Sequence, residues 1–69
     1  MADQRMVGKT GRVTGRIGSD RLGEVMIPIR GGTEAFHAYA VDRTVEISIG
    51  TSVLVIEYHP PRTVVVSPL

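Results

Sequence analysis

The chain has 69 residues, enough for one domain and no more. A domain of that size buries only about 60% of the surface its unfolded chain exposes, so its core is thin and leaves no room for a deep substrate pocket. It has no cysteine and a formal net charge of +1, which excludes disulfides, thiolate zinc sites and a cysteine nucleophile, and falls short of the basic excess of a protein held to nucleic acid through phosphates. Seven of the eight basic residues are arginine, a bias for which a GC-rich genome is a commoner cause than ion-pair or phosphate work.

Residues 1–6 are polar and short and read as a disordered N-terminal segment, so the domain is expected over 7–68. Met1–Val7 does not have the form of a signal peptide, and no apolar run approaches the ~20 residues of a membrane span. The chain as given reads as soluble, and any missing part of a longer protein would lie before Met6.

The pattern that follows has period two, with turn signals between the runs. Arg12–Ile17 alternates, with Val13, Gly15 and Ile17 on one face, and Gly18-Ser19-Asp20-Arg21 is a turn. Glu24–Arg30 alternates again, with Val25, Ile27 and Ile29 together. Pro28 has no N–H to donate, which predicts an edge or a bulge there. Gly31-Gly32 marks a hairpin, and Thr33–Val41 is the third run, with Phe36, Ala38 and Ala40 on one face. Asp42-Arg43-Thr44 breaks the pattern, and Ile47–Gly50 is a short apolar piece closed by a turn glycine. Ser52–Tyr58 is the strongest strand, rich in β-branched residues. His59-Pro60-Pro61-Arg62 turns the chain, and Thr63–Val66 is the last strand.

No window reads as an amphipathic helix. Five strands joined by tight turns would leave a flat sheet with two open edges and one bare apolar face. Closure into a five-stranded Greek-key barrel of OB type removes both problems, so the expected fold is all-β, without substantial helix. One strand resists a simple division into inside and outside. Val53 and Val55 alternate with Leu54, Ile56 and Tyr58, so both faces are apolar, and Val64-Val65-Val66 repeats the pattern. Either the second face is covered by the N-terminal segment or a loop, or it is a patch for a partner.

The chemistry-bearing motifs fare poorly. Gly8-Lys9-Thr10 has the form of a phosphate-loop tail, but Asp3 stands where that motif needs a glycine, and no helix follows. Gly8-Lys9-Thr10-Gly11 also matches a GxxG loop, which joins two helices in its own fold. His37 and His59 are the only histidines, and no cluster of metal ligands surrounds them. Serines 19, 48, 52 and 67 lack the context of a nucleophile, and Glu24, Glu34 and Glu57 sit at alternating polar positions of strands. No catalytic, cofactor-binding or metal-ligating residue is assigned, and no cofactor or small-molecule substrate is expected.

Nucleic acid is the main alternative, because OB barrels bind it through strands two and three and the loops after strands one and four. Tyr39 and Tyr58 are the stacking candidates, and Arg12, Arg16, Arg21 and Arg30 the phosphate contacts, but Glu24 and Glu34 lie among them and both loops are short. A KOW-type, SH3-like barrel is a related alternative: Gly8–Val13 resembles half of that motif, and the half that resembles its partner, Gly50–Val55, lies at the wrong end.

A wider resemblance spans nearly the whole chain. Val7-Gly8-Lys9-Thr10-Gly11-Arg12-Val13, then Leu22-Gly23-Glu24-Val25-Met26-Ile27, then Ile49-Gly50-Thr51-Ser52-Val53-Leu54-Val55 and the Val-rich Arg62–Val66 resemble, in order and spacing, the C-terminal domain of NfeD-like proteins. That resemblance implies a soluble five-stranded OB domain. In the family the domain usually follows transmembrane helices, some members also carry a serine-protease domain, and the family is associated with flotillin- and stomatin-like membrane scaffolds. The chain would then be an excised soluble tail or a stand-alone member. Its parent would be membrane-associated, with this domain in the cytoplasm. Gly31–Tyr39 is longer than the family's usual middle segment and suggests a subgroup whose partner differs. The resulting expectation is a non-catalytic protein–protein interaction domain working with a flotillin- or stomatin-type scaffold. Its expected contact surface is the third strand with its hairpin (Glu34, His37, Tyr39) and the outer face of the fourth (Leu54, Ile56, Tyr58), where apolar and aromatic side chains occupy what should be a solvent face.

Overall fold

A computed structural model describes residues 4–29 and 31–69. The alternating runs become five strands: β1 (Thr10–Gly15), β2 (Gly23–Ile29), β3 (Gly32–Ala40), β4 (Ser52–His59) and β5 (Thr63–Pro68). They close in the order β1-β2-β3-β5-β4, with β4 returning to β1. The first three form an antiparallel meander, β3 and β5 run parallel, and β5 pairs antiparallel with β4. This is the five-stranded OB-type barrel that the turn chemistry predicts, and closure spares most strands an open edge.

The core is the inward row of each strand. Val13, Val25, Ile27, Phe36, Ala38, Ala40, Val53, Val55, Val64 and Val66 are buried, and among the described residues no polar side chain is. Strand direction gives the barrel two ends. At one, where β1, β3 and β5 finish, Ile17 and Ile47 exchange backbone hydrogen bonds of 3.0 and 2.8 Å and are both buried. The short apolar piece before β4 thus acts as a plug, not a strand. At the other end Met6 closes the core.

Met6 corrects the expected domain start. Gln4–Met6 form a short 3-10 turn, and the Met6 side chain is only 4% exposed. The segment is polar on average, but one thioether on a short turn suffices to fill the mouth of a barrel this small. Met1–Asp3 lie outside the described residues.

Pro28 stands opposite Thr33, past Met26, where the paired register of β1 with β2 ends. Its ring nitrogen therefore sits at an edge, as a residue without an N–H requires. The Pro60–Pro61 bond in the β4–β5 connection is cis.

Candidate functional site

The six residues expected to form one contact surface fall on two different surfaces. On β3, burial of Phe36, Ala38 and Ala40 turns His37 and Tyr39 outward, and Val41, just past the strand, is exposed. On β5, Thr63, Val65 and Ser67 face out between the buried Val64 and Val66. Tyr39 lies beside Val65, and Leu54 beside Ser67. His37, Tyr39, Leu54 and Ile56 therefore share the outer wall of β3, β5 and β4, with Val65 between them.

Tyr58 departs from that wall. The β4–β5 register slips between Val55 and Glu57, so that Val55 opposes Val66 and Glu57 opposes Val65. Ile56 is the extra residue of a β-bulge and is 38% exposed. One unpaired residue reverses the alternation beyond it. Tyr58 consequently opposes the inward Val64 and packs against the core. Its hydroxyl donates to the Pro61 carbonyl at 3.0 Å, and its ring meets Phe36 edge-on, 6.4 Å between centroids. The expectation that Tyr58 shares an outer face with Leu54 fails for this reason.

Glu34 also leaves the wall. It has the parity of Phe36 and lies on the part of β3 that extends past β5, where its carboxylate accepts a hydrogen bond from Arg62 at 3.0 Å. Glu34 and Tyr58 line a cleft of about 420 Å³ at the Met6 end of the barrel. Its floor is Met6, Phe36 and Tyr58, and its rim carries Arg5, Lys9 and Arg62. Sequence reading passed over Lys9 and Arg62 because each looks like a turn residue. The available signal was position: one cation directly precedes the first strand and the other directly precedes the last, and those two starts are at the same end of a barrel.

The outer wall has few fixed charges. His37 and His59 flank Thr63 on neighbouring strands. His59 Nε2 is 3.0 Å from Glu57 Oε1. Arg43 stacks over the Tyr39 ring at 4.2 Å and approaches Asp20 at 3.9 Å. In the loop after β3, Asp42 accepts from the Thr44 hydroxyl at 2.6 Å and the Thr44 N–H at 3.0 Å. Those two bonds, the hydroxyl's first, hold its carboxyl below the usual carboxylate range. At the plugged end Arg16 pairs with Glu46, which raises the guanidinium further.

Among the described residues no group of three or more histidine, cysteine, aspartate or glutamate side chains could hold a metal ion. Nor is any helix there long and apolar enough to cross a membrane. The aromatic rings offer little to a nucleic-acid base: Phe36 is buried, the Tyr39 face is covered by Arg43, and Tyr58 is packed on the core. Of the arginines weighed for phosphate contacts, Arg16 is occupied by Glu46, and Arg30 lies outside the described residues.

Residues 10–67 match the NfeD C-terminal domain. The soluble domain of the NfeD protein YuaF from Bacillus subtilis is 34% identical and superposes with a TM-score of 0.80, over 93% of this chain and 74% of that one. The C-terminal domain of a stomatin operon partner protein from Pyrococcus horikoshii is 24% identical, with a TM-score of 0.69 over 100% of this chain and 95% of that one. A soluble domain from Corynebacterium glutamicum, of a membrane protein implicated in regulation of membrane protease activity, is 22% identical, with a TM-score of 0.69 over 91% and 90%. No curated protein matches the chain.

Proposed function

The chain belongs to the NfeD family, as its C-terminal domain, and we propose that it is a non-catalytic interaction domain that docks on a flotillin- or stomatin-type membrane scaffold. The observation that carries this reading is the outer wall of β3, β5 and β4. Tyr39, Val65, Leu54 and Ile56 put aromatic and aliphatic surface on neighbouring rungs of the sheet, and Val41, just past the end of β3, is 52% exposed. Ile56 and Val41 are exposed there and Tyr39, Val65 and Leu54 are half-buried, and apolar surface gathered on one wall, unlike apolar residues scattered singly, marks an interaction site. A stable interface needs about 800 Å² per partner, and a 69-residue domain whose whole accessible surface is 4342 Å² must give most of one side to it. The name of the Pyrococcus relative, a stomatin operon partner, supports the choice of partner.

Catalysis is left out because, among the described residues, no nucleophile, base and orienting group are hydrogen-bonded together. In the parent protein the domain would sit at the cytoplasmic face of the membrane. The test is capture of the scaffold by the full-length protein. Ile56→Asp and Tyr39→Ala are both surface changes, and each is expected to weaken capture about tenfold, equivalent to about 1.4 kcal/mol of interface energy. Undiminished capture by both variants, with unchanged melting of the domain, would remove the outer wall from the reading.

A further inference from the structure

The β2–β3 hairpin runs past the barrel, and its two edges differ. β5 pairs with β3 only from His37 onward, so no described strand covers the β5-facing edge of Gly32–Phe36. Backbone groups of a strand alternate between its two sides. His37 and Val41 donate toward β5, to the carbonyls of Arg62 and Val66, each at 2.8 Å. Thr33 and Ala35 have the same parity and carry that edge beyond the barrel. β5 does not extend along it, because the chain before Arg62 turns away through Pro60 and Pro61. On the opposite edge the residue of matching parity is Pro28, which has no N–H to offer. Proline is a common device for blunting a strand edge against added strands. One edge of the hairpin is thus blunted and the other is not.

The unblunted edge is held by a side chain. The Arg62 guanidinium donates to the Ala35 carbonyl at 3.2 Å and to Glu34 at 3.0 Å, and lies over the Phe36 ring at 5.6 Å. It occupies a position where an added strand would place an N–H. Among the described residues, the cleft beside this edge has an apolar floor and is lined by Lys9, Arg62 and Glu34, with Arg5 at the rim.

We propose that this barrel mouth receives an extended acidic segment of a partner protein, added as a strand on the Thr33–Ala35 edge. Its backbone takes over the Ala35 carbonyl from Arg62. An apolar side chain enters the cleft against Met6 and Tyr58, and carboxylates meet Lys9 and the released Arg62. Main-chain bonds supply affinity in such an addition, and the flanking pocket and charges supply selectivity. An acidic strand fits better than a nucleic acid, because Phe36 is 4% exposed and presents no face for a base. The site is separate from the outer wall and goes beyond the docking reading based on it.

The probe is a labelled seven-residue peptide of alternating glutamate and valine, titrated into the 69-residue chain by fluorescence anisotropy and followed by amide NMR. The expected result is that the Thr33 and Ala35 amides shift and gain exchange protection. Lys9→Glu and Arg62→Glu, both surface changes checked by thermal melting, each weaken binding at least tenfold, while Ile56→Asp leaves it unchanged. The proposal is overturned by no shift of these amides at millimolar peptide or by equal binding of a control peptide of the same length in which lysine replaces each glutamate. It is also overturned by undiminished binding in both folded charge variants, or by a hairpin edge already occupied by a second copy of the chain. Loss of scaffold capture in Ile56→Asp without loss of peptide binding would separate the two surfaces.

Discussion

Gly23 opens β2 where that strand passes closest to the end of β1. A methyl group placed there would lie 2.5 Å from the Gly15 carbonyl oxygen, 2.5 Å from Ile17 Cγ1 and 2.8 Å from the Arg16 carbonyl oxygen. Carbon contacts are comfortable at about 3.5–4.0 Å, so Gly23→Ala must part the two strands by about 1 Å. Two of the three neighbours are backbone, and the third is a plug residue with no exposed surface, so nothing flexible can absorb the shift. Overpacking of this kind costs about 1–3 kcal/mol, and the rigidity of the neighbours puts the expectation near 3. Alanine also stiffens the unfolded chain, which offsets about 0.4–1 kcal/mol. The net loss of about 2 kcal/mol would be a large part of the ~3–10 kcal/mol typical of a domain this long. With a urea slope of about 1 kcal/mol/M, the midpoint should fall by about 2 M, and the melting temperature by roughly 8–16 °C. Gly31→Ala is the control. Its methyl would meet nothing within 4 Å, and its cost is the positive φ of 77°, about 1–2 kcal/mol less the same unfolded-state offset. If Gly23→Ala falls no further than Gly31→Ala, the close approach of β2 to β1 is not what selects glycine there.

Met6→Ala empties one end of the core and should cost about 2 kcal/mol, the low end for a buried methionine because the site borders an open cleft; urea unfolding equal to wild type would return the domain start to Val7. Asp42 ties acid stability to the loop after β3. Its folded pKa is lowered by Thr44, so its contribution is full above the unfolded value near 3.9 and is lost as pH falls through the lower folded value. The stability gap between wild type and Asp42→Asn should therefore shrink below about pH 4, and a gap constant from pH 7 to pH 3 would contradict the role of the Thr44 bonds.

The barrel was legible because its information is local. Alternation at Val25 and Ile27 and at Phe36, Ala38 and Ala40, with turn residues between, names both the strands and their inner faces. Closure follows from having too few residues to cover a flat sheet. The N-terminal boundary was not legible, since burial of Met6 depends on the open mouth of a barrel that period-two reasoning does not describe. The role of Ile47 was half legible: its apolar character is in the sequence, but the exchange of bonds with Ile17 is a contact across 30 residues.

The site was harder to read for one further reason. Strict alternation put Leu54, Ile56 and Tyr58 on one face, and nothing in Val55-Ile56-Glu57 announces an extra residue. A bulge is set by the partner strand, here by Val65 opposing Glu57 while Val66 opposes Val55. The apparent two-sided strand is in fact two half-strands of opposite parity. Its first half gives Leu54 to the outer wall, the bulge leaves Ile56 exposed there, and its second half sends Tyr58 into the mouth. That switch makes the fourth strand contribute to both surfaces. It puts an aromatic floor in the mouth beside Arg62 and the open edge of β3, and it leaves the aliphatic wall without the tyrosine that alternation alone would have assigned to it.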